Sequence, residues 1–135
     1  MNEPSPGDAL TCHRVTTVTA DSMRTMSVLL DDPNPIHLDV AAVRELGLGD
    51  RLINQGPANV AYMMDMIREN FPTGRLRHFR TRLLSNVFQG DTVTAGGSVE
   101  STEDHPDGRQ ITCQVWLDVE EGGRAVEGTA IVVLP

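Results

Sequence analysis

Leu52-Ile53-Asn54-Gln55-Gly56-Pro57 leads into a run with apolar residues at helical spacing: Val60, Ala61, Met63, Met64, Met66 and Ile67. Proline is well tolerated in the first turn of a helix, so Pro57 predicts that a helix begins here. The polar residues of this run form only a narrow stripe: Asn59, Tyr62, Asp65 and Glu69. We therefore expect a helix that is buried on most of its circumference and forms the centre of the core.

Four segments rich in β-forming residues follow this helix: Arg75–Phe88, Asp91–Glu100, Gln110–Val119 and Arg124–Leu134. Turn-forming residues separate them: Gln89-Gly90, Pro106-Asp107-Gly108 and Glu121-Gly122-Gly123. These turns are short enough for hairpins, so the strands are expected to pair in an antiparallel sheet. A long apolar helix followed by about four such strands predicts one α+β domain, with the helix laid against the sheet or wrapped by it.

The segment before the helix is more varied. Residues 1–8 are rich in Pro, Gly and acidic groups and are expected to be a flexible tail, which leaves residues 9–135 as a single domain. β-branched residues predict a strand over Thr11–Thr19. Two helices should follow, each starting at a side chain that can cap it: Thr19 or Asp21 for a helix to about Leu30, and Asp39 for a short helix through Leu46.

The composition excludes several classes of protein. The chain has 135 residues, 39% of them hydrophobic, and a formal net charge of -8, which argues against a nucleic-acid partner because phosphate binding needs a basic face. It has neither a leader-like start nor an apolar run long enough for a membrane span, so we expect a soluble, cytoplasmic protein. Cys12 and Cys113 lack metal-type spacing and are expected to be buried small hydrophobes.

Asp31-Asp32-Pro33-Asn34-Pro35-Ile36-His37 places carboxylates and an imidazole on a segment that cannot be helical. Its two prolines restrict their own φ angles and push the preceding residues toward extended conformations. Such a stiff loop can hold Asp32 and His37 at one geometry, as acid–base chemistry requires, and Asn34 is expected to brace it by side-chain to backbone bonds. On these residues alone, turn formation and a solvated imidazole are the commoner interpretation.

Asp32-Pro33-Asn34-Pro35-Ile36-His37, followed by Asp39, resembles the Asp-x-Asn-Pro-Ile-His motif of the MaoC-like family. Residues 82–93 resemble the strand and turn of that family that end in Pro-Gly-Asp-Thr-Leu, and residues 128–135 resemble its closing strand. Members are R-specific enoyl-CoA hydratases and 3-hydroxyacyl-thioester dehydratases with the hot-dog fold. The resemblance, over residues 8–135, implies a single hot-dog domain whose long central helix is wrapped by an antiparallel sheet.

Adding water to an enoyl thioester needs a base, an acid, and a donor for the charge that develops on the thioester oxygen. His37, Asp32 and the backbone N–H of Gly56 are suitable groups for these three roles. The resemblance implies that Asp32 and His37 share one water, in either direction of the reaction, and that Gly56 supplies the oxyanion donor at a helix N-terminus. It implies no metal or organic cofactor, since coenzyme A or phosphopantetheine enters as part of the substrate.

The chain departs from the family pattern at two points. Leu30-Asp31 replaces the usual Ser-Gly and sets a second carboxylate beside Asp32, which either acts on it by like-charge repulsion or faces solvent. Gln55-Gly56-Pro57 replaces the usual His-Gly-Met, so the pocket should differ from that of the common enzymes. We assign Asn54 and Gln55, like Asn34, to loop bracing or substrate binding.

Arginines at four of eight consecutive positions stand out in this acidic chain: Arg75, Arg77, Arg80 and Arg82. They are interpreted either as a solvated strand face or as partners for the phosphates of coenzyme A, with Arg80 and Arg82 as the binding residues, or for an acidic acyl carrier protein. The resemblance further implies a homodimer, with a heteromer as the alternative. Two rival functions stay open, a hot-dog thioesterase and a non-catalytic acyl-thioester-binding partner subunit.

Overall fold

The computed structural model describes residues 3–15 and 17–135. Met1, Asn2 and Thr16, which belong to the predicted tail and first strand, lie outside the described residues. The described elements are, in chain order, β1 (His13–Val15), α1 (Ala20–Leu30), a 3-10 helix (Pro35–His37), α2 (Val40–Glu45), α3 (Gly56–Asn70), β2 (Arg75–Leu83), β3 (Val93–His105), β4 (Gly108–Val119) and β5 (Gly123–Leu134). Among the described residues, no helix has the length and apolar character that a membrane crossing needs.

The two predicted N-terminal helices are confirmed, together with their capping residues. Thr19 Oγ1 accepts a hydrogen bond from the Ser22 N–H at 3.1 Å, so Thr19 caps α1 while Asp21 lies in its first turn. Asp39 Oδ1 accepts one from the Ala41 N–H at 2.9 Å at the start of α2. Each cap satisfies a backbone donor that the helix itself leaves without a partner.

Helix α1 ends in a residue of unusual backbone conformation. Asp31 has a φ of 49° and a ψ of 45°, which is the left-handed region, and its N–H returns to the carbonyls of Ser27 and Val28. Glycine is favoured there, while Asp and Asn are tolerated. Asp31 therefore occupies a position whose backbone conformation suits glycine or aspartate better than a β-branched residue. Asp31 is exposed to solvent.

Helix α3 begins at Gly56 with Pro57 in its first turn, as predicted. It packs against β1, β3 and β4 through Met63, Met66 and Ile67, which are buried. The expectation of burial on most of its circumference is wrong, because the opposite side is exposed: Met64, Asp65, Arg68 and Glu69. Asn59, which the pattern placed in the polar stripe, is buried instead.

The sheet has the strand order β1-β3-β4-β5-β2, and every neighbouring pair is antiparallel. The predicted hairpins β3–β4 and β4–β5 are confirmed. The predicted hairpin at Gln89-Gly90 is wrong, because β2 ends at Leu83 and pairs with β5 rather than β3. Residues 84–92 instead cross toward β3, and the N–H groups of Gln89 and Gly90 donate to the carbonyls of Leu52 and Val18.

The predicted α+β class is confirmed by one core between helices and sheet. Met23, Met63 and Met66 are fully buried on the helical side, and the sheet supplies the buried residues Val93, Ile111, Leu117, Val126 and Val132. Burying one such side chain contributes about 1.5–3 kcal/mol. The helices are therefore held mainly by tertiary packing, α3 directly against the sheet, since helices as short as α2 are marginal on their own.

Residues 3–8, part of the predicted tail, lie against β3. The Gly7 N–H donates to the Val99 carbonyl and the Val99 N–H donates to the Asp8 carbonyl, both at 2.8 Å. Pro4 is buried. The flexibility of residues 1–8 stays a prediction, and so does the boundary at residue 9.

The two cysteines, both predicted to be buried, lie in different environments. The prediction is confirmed for Cys113 and is wrong for Cys12. Cys113 lies in the core on β4 with no exposed surface, and burial, together with the charge of Glu100, raises the pKa of its thiol to about 11. Cys12 lies just before β1 and is exposed. Since the thiolate is the reactive species, only Cys12 is accessible and chemically available at neutral pH.

This difference predicts how many thiols react. In the native protein at pH 8, Ellman's reagent should titrate one thiol per chain, and in guanidinium chloride it should titrate two, because unfolding exposes Cys113. The Cys12→Ser variant should show no fast-reacting thiol. Rapid reaction of two thiols in the native protein would contradict the buried position of Cys113.

The left-handed backbone conformation of Asp31, at the end of α1, leads to a second prediction. Asp31→Gly should change the free energy of unfolding by less than about 1 kcal/mol, whereas Asp31→Val should lower it by about 1–2 kcal/mol because a β-branched residue is strained at positive φ. Leu29→Val, at an exposed position within α1, is the control for the change in side chain. Equal stability of the Gly and Val variants at position 31 in urea unfolding would refute this backbone assignment.

Candidate active site

His37 is held in one orientation by the segment that precedes α3. Its Nδ1 lies 2.6 Å from the carbonyl oxygen of Ile53, and the ring is buried. A carbonyl oxygen only accepts, so Nδ1 carries the proton in this bond. In the neutral ring, Nε2 is therefore the unprotonated nitrogen, which is the form required of a general base.

Asp32 lies opposite that nitrogen on the proline-containing loop. One carboxylate oxygen, Oδ1, accepts a hydrogen bond from the Asn34 N–H at 3.0 Å, and the Asn34 side chain accepts one from the Ile36 N–H at 3.2 Å. These two short-range bonds hold the loop in consecutive turns. The second turn is the 3-10 helix Pro35–His37, so the prediction that this segment cannot be helical is wrong there. The second oxygen, Oδ2, lies 3.4 Å from His37 Nε2.

The separation between Asp32 and His37 is informative. At 3.4 Å, Oδ2 and Nε2 are farther apart than the 2.7–3.2 Å of a good direct N–H···O bond. The side chain of Asp32 is one-third exposed while that of His37 is 8% exposed, so the carboxylate lies toward solvent and the ring lies inward. Two acceptor atoms that face one point at this spacing suit a shared water or hydroxyl group.

A cleft of about 260 Å³ lies beside His37. Its walls come from three segments, namely the 3-10 helix, the start of α3 and the crossing segment after β2: Ile36, His37, Ile53, Asn54, Gly56, Asn59, Leu83, Leu84, Ser85 and Asn86. Gly56 brings the N-terminus of a 15-residue helix to this cleft, and the first N–H groups of a helix have no partner within it. A side chain at position 56 would approach Leu83 to 3.0 Å.

Gln55 does not line the cleft. It is fully buried, and its Nε2 donates to the Met23 carbonyl at 2.8 Å and to the Ser27 hydroxyl at 3.0 Å. The Ser27 carbonyl in turn accepts a hydrogen bond from the Asp32 N–H at 2.9 Å. Gln55 thus connects the start of α3 to the end of α1, from which the Asp32 loop departs.

Asn54 and Asn59 form a buried amide pair in the cleft wall. The Asn54 Nδ2 donates to Asn59 Oδ1 at 2.8 Å and to the Tyr62 hydroxyl at 3.3 Å, while its backbone N–H donates to the Val87 carbonyl. The sequence pattern placed Asn59 in the polar stripe of the helix and did not predict its position in the cleft. Its position three residues after Gly56, on the same helical face, was the available signal.

Arg80 and Arg82 are not brought to the catalytic pair. Both line an open groove of about 810 Å³ along β2, β4 and β5, together with Trp116, Arg124 and Glu127. Within the described part of the chain, neither arginine has an ion-pair partner, whereas Arg75 pairs with Asp107. The groove and the cleft share no residue, although Leu83 of the cleft directly follows Arg82.

Among the described residues, no cluster of three His, Cys, Asp or Glu side chains is arranged to hold a metal ion. The cleft is lined by a nitrogen base and a helix N-terminus, and the Asp32 carboxylate lies 3.4 Å from that nitrogen without lining the cleft itself. That set suits proton transfer next to a carbonyl group whose oxygen becomes negatively charged. The assigned roles of the individual residues stay predictions at this point.

Comparisons with known proteins relate this arrangement to a family. A family model described as "MaoC like domain" matches residues 2–121. The (R)-hydratase from A. caviae involved in PHA biosynthesis is 23% identical, with a TM-score of 0.87 over 100% of both chains. R-Hydratase PhaJ1 from Pseudomonas aeruginosa is 20% identical, with a TM-score of 0.83 over 98% of this chain and 83% of that one. The ChsH1-ChsH2 complex from Mycobacterium tuberculosis contains a chain that is 17% identical, with a TM-score of 0.84 over 97% and 98%.

A search of curated protein sequences finds no match. At the identities of the three solved structures, the likeness establishes the fold and leaves the activity to be argued from the site. The family match covers most of the chain, including the loop of Asp32 and His37 and the cleft around Gly56. The chain therefore belongs to the MaoC-like family and adopts its hot-dog fold, as the motif around His37 predicted.

Proposed function

We propose that the protein is a hydratase or dehydratase that adds water to an enoyl thioester, or removes it from a 3-hydroxyacyl thioester. The observation that carries this proposal is the geometry of His37. Its Nδ1 proton is committed to the Ile53 carbonyl, and its Nε2 faces the Asp32 carboxylate at 3.4 Å beside the cleft. The names of two structural relatives, both R-hydratases, support the same reaction class.

In the proposed reaction, one water contacts both His37 Nε2 and Asp32 Oδ2 from the side that the substrate approaches. His37 accepts a proton from this water while the water oxygen bonds to the β-carbon of the enoyl group. The resulting negative charge on the thioester oxygen is stabilised by the Gly56 N–H at the positive end of α3. The Asp32–His37 pair then delivers a proton to the α-carbon, so the hydroxyl group and the hydrogen have come from one water. Dehydration is the reverse sequence.

Coenzyme A or the phosphopantetheine of an acyl carrier protein is the proposed carrier of the acyl group, and no further cofactor enters these steps. Arg80 and Arg82 are proposed as phosphate-binding residues. Support comes from their guanidinium groups, which are exposed, have no ion-pair partner among the described residues, and lie on the strand that leads into the cleft wall. Guanidinium groups bind phosphate through paired hydrogen bonds.

A homodimer is the proposed assembly, with a heteromer as the alternative. Large apolar side chains are exposed at the end of α1 and beside the cleft: Val28, Leu29, Leu83 and Leu84. Exposed apolar residues that gather near a functional site mark contact surfaces. Strand β2 also lies at one end of the strand order, where its outer edge is available for pairing.

A thioesterase would use the same two side chains differently. Water activated by Asp32 or His37 would attack the carbonyl carbon and release a free thiol, whereas hydration leaves the thioester intact. A non-catalytic binding subunit would give neither product. The fixed tautomer of His37 favours an enzyme, because a protein that only binds acyl groups has no need of an oriented base.

The catalytic pair predicts a loss of hydration in two variants. Asp32→Asn and His37→Asn should each lower kcat/KM for enoyl-CoA hydration by about 100-fold or more, because each removes a proton-transfer group. The asparagine at position 37 is chosen because its amide can still donate to the Ile53 carbonyl while it lacks Nε2. The assay follows the conjugated absorbance of crotonyl-CoA and longer enoyl thioesters, with free thiol measured in parallel.

The matched controls are Asp31→Asn, the adjacent exposed carboxylate, and His13→Asn, a histidine that contacts Glu69 instead. Both controls should retain hydration within a few-fold of the wild type. Undiminished hydration in both Asp32→Asn and His37→Asn would refute the proposed mechanism. Release of thiol by the wild type, without hydration, would favour the thioesterase.

The hydrogen bonds of Gln55 predict that it positions the Asp32 loop. Gln55→Leu leaves the Met23 carbonyl and the Ser27 hydroxyl without their donor, so it should lower the free energy of unfolding by about 1–3 kcal/mol. It should also lower kcat, because the Asp32 loop departs from the same end of α1. The control Gln114→Leu removes an exposed bond to Glu100 and should change stability by less than about 0.5 kcal/mol. Equal effects of the two variants would contradict this role.

A further inference from the structure

The amide pair Asn54–Asn59 is the part of the cleft that the proposed reaction does not use. Each residue is only 3% exposed, yet both line the cleft beside His37 and Gly56. In the proposed reaction, His37, Asp32 and the Gly56 N–H supply the base, the carboxylate and the oxyanion donor. Two buried amides next to the reacting position therefore need a separate explanation.

The side-chain hydrogen bonds of Asn54 and Asn59 use only some of their donor and acceptor atoms. Asn54 Nδ2 uses its protons on Asn59 Oδ1 and the Tyr62 hydroxyl, which leaves Asn54 Oδ1 and Asn59 Nδ2 without a partner among the described residues. If the oxygen and nitrogen of both amides are exchanged, the count is the same. In either assignment, one amide oxygen and one NH2 group remain.

These remaining atoms are open to the cleft. Among the described side chains, two polar atoms are fully buried and have no hydrogen-bond partner, namely Gln55 Oε1 and Arg109 Nε. The remaining atoms of Asn54 and Asn59 do not belong to this set, so they are not fully buried. Since both residues line the cleft, their unused acceptor and donor are available to its contents. If the pair served only to brace the start of α3, one mutual hydrogen bond would suffice.

We infer that Asn54 and Asn59 bind a neutral group of the thioester substrate that both donates and accepts hydrogen bonds, namely a hydroxyl or an amide. The inference rests on the proposed function, because it assumes that a thioester occupies the cleft. A neutral group is favoured, since the cleft lining contains no arginine and the Asp32 carboxylate lies close to His37. An amide oxygen and an NH2 group together match a hydroxyl or an amide.

Two parts of an acyl thioester contain such a group. The acyl chain can carry a hydroxyl group beyond the reacting carbons, and the pantetheine arm carries amides and a hydroxyl of its own. The hydrogen-bonding chemistry is the same for both, so the experiment must separate them.

The test measures binding rather than turnover. Saturated acyl-CoA thioesters of four to six carbons, with and without a terminal hydroxyl group, are titrated into the wild type and into the Asn54→Leu/Asn59→Leu double variant. They have no double bond to hydrate, so the result does not depend on the catalytic proposal. A second set uses ethyl thioesters of the same acids, which lack the pantetheine arm, with NMR titration as the readout.

Two results support the inference. If the group lies on the acyl chain, the wild type should bind the hydroxylated thioesters about 10-fold more tightly than the unhydroxylated ones in both sets, and the double variant should lose this preference. If it lies on the pantetheine arm, the double variant should bind every acyl-CoA about 10-fold more weakly and the ethyl thioesters unchanged. Equal affinities of wild type and variant, or an equal loss for all ligands, would overturn the inference.

Folding and specificity are controlled separately. The double variant removes both members of the pair, so the only side chain that loses a hydrogen bond is Tyr62, whose hydroxyl belongs to a half-buried residue. The variant should therefore fold, and its melting temperature and the expected thiol count test this. Ser85→Ala, at another polar residue of the cleft, should leave the preference for hydroxylated ligands unchanged. If the wild type binds with this preference but hydrates no enoyl thioester, the catalytic proposal fails and the binding inference stands.

Discussion

The hydrogen bond between His37 Nδ1 and the Ile53 carbonyl is the contact on which the site depends. It joins the proline-containing loop to the segment that leads into α3, and the Ile53 N–H donates in return to the Ile36 carbonyl at 3.0 Å. This reciprocal pair of bonds sets the ring plane, its tautomer and its distance from the helix N-terminus at once. A hydrated loop would fix none of these, because a free imidazole exchanges tautomers and rotates.

A second tie fixes the carboxylate independently. The Asp32 N–H bonds to the Ser27 carbonyl, and Ser27 also receives a bond from Gln55, the residue before α3. Both site residues are therefore connected to the start of α3. His37 is connected through Ile53, and Asp32 is connected through Ser27 and Gln55. The sheet contributes by holding that helix in place. Gln55 makes this connection with amide protons, so it adds no titratable group.

Local patterns predicted the helices, because capping side chains and apolar spacing act within a few residues. The same holds for the Asp32–His37 loop, whose short-range bonds are set by its own side chains. The pairing of β2 with β5 was missed, since it joins residues far apart in sequence and nothing in the Gln89-Gly90 turn indicates it. Asn59 was misassigned because amphipathic analysis counts an amide as polar, whereas a buried partner such as Asn54 makes its burial acceptable.

The pairing of the first long strand with the last one has a consequence for biosynthesis. Arg75 lies opposite Val133 and Leu83 opposite Val126, so β2 has no strand partner until β5 has been made. Since Leu83 to Asn86 form one wall of the cleft, a nascent chain can carry the Asp32 loop and α3 in place and still lack a complete site. Chains fold progressively as they leave the ribosome, and contacts between distant segments form slowly. The candidate site is therefore completed only after β5 has been made and has paired with β2.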